Sequence, residues 1–313
     1  MSAPTFTQTE SRPSTWSGLP SALDSLWSAC LQDNGGRDVA RALTANLVGL
    51  ADREDRACLQ DACDMLQRRA PCRAFVLLRD NGTERQPALL SAATRSHGSL
   101  RDIVLERIEI CLHERELPRL PGLLRPLLLD DLPSHLFWAR PWPADRTTFD
   151  ALDELCTHTI VDSKRFGNPA RDLQQLAERR ARGQRLTDLS WLRLQPWRRA
   201  LAEAFERFPW QTGTRVAGTL RHGRNARATT ILLADWLSER LSASIVIEPD
   251  GREESVGPDH AKLQVGDVEI LCELRDDVLV SHVTTQSHCH LPFSVGAKTL
   301  GDAELLANAI DGA

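Results

Sequence analysis

The chain has 313 residues, 42% of them hydrophobic and 26% charged, which is enough apolar material for two ordinary domains or one large one and argues against disorder over most of the length. Its formal net charge of −5 disfavours nucleic acid or an anionic membrane as partner. No window approaches the roughly 18 apolar residues that span a bilayer, and residues 1–18, rich in Ser, Thr and Pro without the apolar run of a signal peptide, read as a flexible tail on a cytoplasmic protein.

The first expected element is a helix over Pro20–Leu31, followed by a turn at Asn34-Gly35-Gly36. Ala45–Leu50 has the apolar run of a buried strand, and Asp52 is placed to cap a helix whose Leu59, Ala62, Cys63 and Leu66 recur at helical spacing. Pro71 stops that helix, and Arg73–Leu78 is a second apolar strand. Strand, helix, strand predicts a parallel pair joined by a right-handed crossover. Ile103–Leu112 ends in alternation, with Ile108, Ile110 and Leu112 on one face and Glu109 and Cys111 on a wetter one. Leu117–Leu129 has leucines at helical spacing, but Pro118, Pro121 and Pro126 keep any helix short or kinked. A strand over Ser134–Trp138, a stiff loop over Ala139–Pro143, a helix over Thr147–Cys156 and a short strand over Thr159–Val161 follow.

Asn168-Pro169 is a helix start, with Asn as cap and Pro in the first turn; Leu173, Leu176 and Ala177 supply the apolar face and Gly183 the end. The next helix starts at Pro196 and carries Trp197, Ala200, Leu201, Ala204, Phe205 and Phe208 on one stripe. Beyond Pro209–Gly213, taken as the domain boundary, strands are expected over Arg215–Leu220, Ile245–Ile247, Val268–Leu274 and Val278–Val283, with helices over Ala228–Leu241 and Leu300–Ile310. The fold class is therefore α/β: a mixed or mostly parallel sheet with flanking helices over 19–210, then a smaller α+β domain with an antiparallel meander over 211–313.

No phosphate loop, dinucleotide fingerprint, nucleophile elbow or HExxH motif is present, and Gly35-Gly36 follows a helix rather than a strand. None of the eight cysteines forms a CxxC pair, and His288-Cys289-His290 alternates across a strand, so no metal is expected. Asp130-Asp131 reads as a solvated turn and His135 as a core or rim histidine. Ser163, Lys164, Arg165 and Arg171, between a strand end and a helix start, make a candidate anion site for a sugar phosphate or nucleotide. Asp188, Trp191, Arg193 and Arg198 form the densest aromatic and guanidinium cluster; Trp and Arg are enriched at interface hot spots, so these four are the candidate partner surface.

The same segments carry a resemblance. Ala70-Pro-Cys-Arg-Ala-Phe-Val-Leu77, Leu127-Leu-Leu-Asp-Asp-Leu-Pro133 leading to Phe137-Trp138, Thr159-Ile-Val-Asp-Ser163, Asp188-Leu-Ser-Trp-Leu-Arg-Leu-Gln-Pro-Trp-Arg198 and Ile231–Leu241 resemble, in order, the OpcA family of glucose-6-phosphate dehydrogenase assembly proteins. The chain departs from that pattern at Trp138-Ala139 and Cys156-Thr-His158. The resemblance implies a protein without catalytic activity or cofactor that binds glucose-6-phosphate dehydrogenase, favours its active oligomer and so activates it allosterically. Cysteines tie this effect to thiol redox state in cyanobacterial relatives, which makes Cys72, inside a matching motif, a candidate redox-sensitive residue.

Overall fold

The computed structural model describes residues 6–8, 11–32, 38–40, 42–80, 87–97, 101–211, 213–249 and 257–312. The expected turn at Asn34-Gly35-Gly36 lies outside them. In chain order the elements are β1 (Phe6–Gln8), β2 (Arg12–Ser14), α1 (Leu19–Gln32), β3 (Asp38–Ala40), β4 (Ala45–Asp52), α2 (Arg56–Arg69), β5 (Cys72–Arg79), β6 (Ala88–His97) and β7 (Arg101–Leu112). Then come α3 (Leu120–Leu124), β8 (Ser134–Ala139), α4 (Thr147–Asp153), β9 (His158–Val161), α5 (Pro169–Ala181), β10 (Leu186–Asp188), α6 (Leu189–Arg193) and α7 (Gln195–Phe205). The chain finishes with β11 (Val216–His222), α8 (Arg227–Leu241), β12 (Ser244–Pro249), β13 (Pro258–Val265), β14 (Val268–Arg275), β15 (Val278–Thr284), β16 (Phe293–Gly296) and α9 (Asp302–Asp311). Among the described residues no helix is long and apolar enough to cross a membrane.

These elements form two compact units, one of Met1–Val161, Gly183–Thr187 and Asp302–Ala313, the other of Asp162–Arg182 and Asp188–Gly301. Pro209 and Gly213, expected at the boundary, both lie inside the second unit, and the final helix belongs to the first. Helix α9 packs on α2, where Arg69 donates to Asn308 at 2.8 Å, a contact that only the folded chain creates.

In the first unit the sheet order is β1-β6-β7-β5-β4-β8-β9-β10, with β2 pairing β6 and β3 pairing β7. The run β7-β5-β4-β8-β9 is parallel throughout. Taken in chain order those strands stand third, second, first, fourth and fifth, so the winding reverses between β4 and β8, as in doubly wound sheets. Strands β4, β5 and β8 are buried along almost their whole length, which is why their sequences run apolar instead of alternating. Glu109, on the expected wetter face of β7, is buried all the same: Gln60 of α2 donates to it at 2.7 Å and Arg56 pairs with it at 2.7 Å. Part of the expected N-terminal tail is built into this sheet, since β1 and β2 both pair with β6.

Strand β4 carries Gly49 where α2 crosses closely: a Cβ there would stand 2.5 Å from Leu59 Cδ1, and Leu59 is 1% exposed. Gly49→Ala should therefore overpack this contact and cost about 1–3 kcal/mol, read as a lower urea midpoint with an unchanged slope.

In the second unit the sheet order is β12-β11-β13-β14-β15-β16, antiparallel except for the β11–β12 pair. Helices α7 and α8 cover it, burying Trp197, Leu201, Phe205, Leu233 and Leu237 against Leu263, Ile270 and Leu279. Asn168 accepts from the Arg171 amide to cap α5, and Gly183, after its end, has φ +87°. On the same helix Leu173 and Leu176 are buried, but Ala177 is exposed.

Candidate functional site

The Asp188–Arg198 cluster divides into an internal part and a surface part. Asp188 is fully buried, and its Oδ1 accepts the amides of Ser163 at 3.1 Å and Ser190 at 2.9 Å, so it caps the short helix α6. Complete burial pushes its carboxyl pKa up, against the opposing pull of the Ser163 hydroxyl and amide. Arg193 turns inward as well: its Nη1 and Nη2 reach the two oxygens of Asp162 at 2.6 and 3.0 Å, and the side chains are 6% and 1% exposed. The Ser190 hydroxyl adds a contact to Asp162 at 3.4 Å. Asp188 and Arg193 therefore hold this turn together and present little to a partner.

Trp191 and Arg198 remain at the surface, each half-buried. The guanidinium of Arg198 lies 3.9 Å from the centre of the Trp191 ring, and its Nη2 donates to the Trp191 carbonyl at 3.4 Å. Stacking of this kind contributes about 0.5–2 kcal/mol and keeps both side chains in one orientation.

Two of the candidate anion cations, Lys164 and Arg171, are already paired within the second unit. Lys164 Nζ is 3.4 Å from Asp162 Oδ2, while Arg171 donates through Nε and Nη2 to Asp172 at 2.9 and 2.8 Å. Ser163 is buried against Asp188, and Arg165 is half-buried. Cys72 is 0% exposed and burial pushes its thiol pKa well up, so it has neither the access nor the acidity of a reactive thiol. Cys289 is the exposed cysteine among those described, and no group of three or more His, Cys, Asp or Glu among the described residues could hold a metal.

The structure assembles another polar cluster, in the first unit, from residues that the sequence scatters. Asp52, expected as a helix cap, makes no side-chain cap bond. Its Oδ1 instead accepts Arg79 Nε at 2.6 Å and Arg140 Nε at 3.0 Å, from the ends of β5 and β8. Burial opposes the Asp52 charge, and the two guanidiniums outweigh that cost and hold the carboxyl below its usual range. Glu114 joins from outside, at 3.0 Å from Arg140 and 3.5 Å from Arg79. These four residues line a cavity of about 490 Å³ with Trp138, Trp142 and Pro141. It opens at the carboxyl ends of β4 and β8, where the winding of the sheet reverses, the usual place for a ligand in such folds. The only sequence signal for it was three charged residues, each just at or past the end of an apolar strand.

A family model described as the glucose-6-phosphate dehydrogenase subunit N-terminal domain matches residues 63–178, and one for the C-terminal domain matches 184–311. The chain belongs to the OpcA family. Its similar relatives include the putative OxPP cycle proteins OpcA of Nostoc punctiforme, 29% identical over 184 residues, and of Synechocystis sp., 27% identical over 209 residues. The matches take in 57% and 63% of this chain but only 39% and 43% of those proteins, so the chain spans well under half of the relatives it matches. Similar solved structures include levoglucosan dehydrogenase with NADH and L-sorbose, at TM-score 0.48 and 8% identity over 86% of this chain and 88% of that one. A 3-ketoreductase from Actinomadura kijaniata with NADP and TDP-benzene matches at TM-score 0.46 and 12% identity over 86% and 88%. Both likenesses are too distant to bear on function.

Proposed function

We propose that the chain is a non-catalytic, cytoplasmic assembly factor that binds glucose-6-phosphate dehydrogenase, favours its active oligomer and so activates it in the oxidative pentose phosphate pathway. The observation that carries this is that matches to both halves of the OpcA family occupy the chain in order, from residue 63 to residue 311. The first strand-to-helix turn of the doubly wound sheet supports it too. Dinucleotide enzymes place glycines there so that a pyrophosphate can approach the backbone, whereas this chain has Asp52-Arg-Glu-Asp55, with no glycine to allow that approach. A partner that binds the active oligomer better than the inactive one shifts the population toward it without doing chemistry. Trp191 and Arg198 are the members of the Trp/Arg cluster that remain available for that contact. The alternative, a sugar phosphate or nucleotide held at Ser163–Arg171, draws no support from cations already paired with Asp162 and Asp172.

The test is to mix this chain with glucose-6-phosphate dehydrogenase and follow NADP reduction together with oligomer mass. A complex and a raised rate are expected, with Trp191→Ala weakening the complex by about 2 kcal/mol. No complex and unchanged kinetics would overturn the reading.

A further inference from the structure

We infer that the crevice at the ends of β4 and β8 is a binding site for a small phosphate monoester, with Arg79 and Arg140 on the phosphate and Glu114 displaced from them. The inference does not rest on the assembly reading, because it concerns this chain alone.

The location comes first. In open doubly wound sheets, ligands bind outside the carboxyl ends of the strands where the winding reverses. The cavity of about 490 Å³ stands there, inside the range of roughly 300–1,000 Å³ usual for small-molecule sites. Its chemistry comes next. Asp52 engages the Nε of both arginines, fixing two guanidiniums from the strand ends on either side of β4 at one cavity. Two oriented guanidiniums suit an oxyanion that accepts several charge-assisted hydrogen bonds.

The carboxylates of the crevice are not equivalent. The Asp52 side chain is 22% exposed and bridges both arginines, so it belongs to the framework. The Glu114 side chain is 59% exposed and meets the same arginines from the solvent side. Glu114 is thus the more solvated and more loosely held carboxylate, and a phosphate, which offers both arginines more acceptor oxygens, displaces it before Asp52. Asp145, also on the wall, is a third carboxylate; its Oδ1 accepts from the amide and hydroxyl of Thr147 at 3.0 and 2.7 Å, which holds it away from the two arginines' hydrogen bonds with Asp52 and Glu114. Much of the remaining wall is apolar, with Leu117, Pro118, Pro141 and Pro143 beside the buried Trp138 and Trp142, which both pack on Phe149 at 5.1 Å. A dinucleotide falls outside this class because the turn Asp52–Asp55 has no glycine to let a pyrophosphate approach the backbone.

Calorimetric titration of the isolated chain tests the site, with a hexose monophosphate, the unphosphorylated hexose, inorganic phosphate and NADP as separate probes. The hexose monophosphate should bind, the free hexose should not, and inorganic phosphate should bind at least about tenfold more weakly for want of contact with the apolar wall. Arg140→Met should weaken binding at least about tenfold, and Glu114→Gln should strengthen it several-fold by removing the competing carboxylate. Glu114→Gln alters an exposed side chain, so its arm stays readable even where Arg140→Met unfolds the chain. No binding of the hexose monophosphate, or binding indifferent to Glu114→Gln, overturns the inference. So does equal affinity for inorganic phosphate, or tighter binding of NADP.

Discussion

Arg193→Ala lowers the unfolding free energy by about 3–5 kcal/mol, the usual consequence of stripping one partner from a buried ion pair. Asp162 would keep its charge in a place that is 1% exposed. Its remaining cation is Lys164 at 3.4 Å, whose side chain is 22% exposed and can supply one point charge where Arg193 supplied a two-pronged fork. The measurement is a urea titration followed by tryptophan fluorescence. Arg193→Lys should lose less than Arg193→Ala, and the double change Asp162→Leu with Arg193→Met should recover much of the loss, because it removes both charges together. A loss under about 1 kcal/mol would show that water or Lys164 compensates Asp162. The same experiment separates stability from recognition: if Arg193 served mainly in partner contact, its loss would weaken the complex and leave the urea midpoint in place.

Lowering the pH from 7 to 4 destabilises the first unit by about 3 kcal/mol through His158 alone. His158 Nδ1 stands 3.3 Å from His135 Nδ1, its Nε2 is 2.9 Å from the Thr187 hydroxyl, and it is 5% exposed. Burial, then the neighbouring His135 and Arg185, lower its pKa from 6.5 to about 4. Below pH 6.5 the unfolded chain takes up a proton that the folded chain refuses, so stability is complete above 6.5 and is lost as the pH falls toward 4. His135 is shifted the same way by burial and by Arg185, and adds to the effect. Comparing urea midpoints at pH 7 and pH 5 for the native chain and His158→Gln isolates the contribution: the variant should show the shallower dependence. Equal slopes would mean that His158 titrates normally and that the pair opens to water.

Local signals in the sequence carried much of the fold. Asn168-Pro169 and Gly183 bracket α5 because a cap, a fixed φ and a left-handed residue act within a few positions of the helix they bound. The apolar runs of β4, β5 and β8 are legible because strands covered on both faces leave no room for polar residues. Strand β6 and the short elements β10 and α6 had no such signal: β6 mixes Ser, Thr and Ala with its apolar positions, and the other two are only a few residues long.

The candidate sites were less legible, for a different reason. Asp188, Trp191, Arg193 and Arg198 are close in sequence and look like one surface, yet Asp188 and Arg193 point inward to Ser163 and Asp162. Asp52, Arg79 and Arg140 are far apart in sequence and become one cluster only because β4 pairs with both β5 and β8. Composition, apolar periodicity and caps, which act over a turn or a strand, are what this sequence determined by itself, together with its family. Which charges are buried and which meet was decided by the tertiary structure. Coulomb pairing and desolvation depend on distance and exposure in space, and strand order sets both.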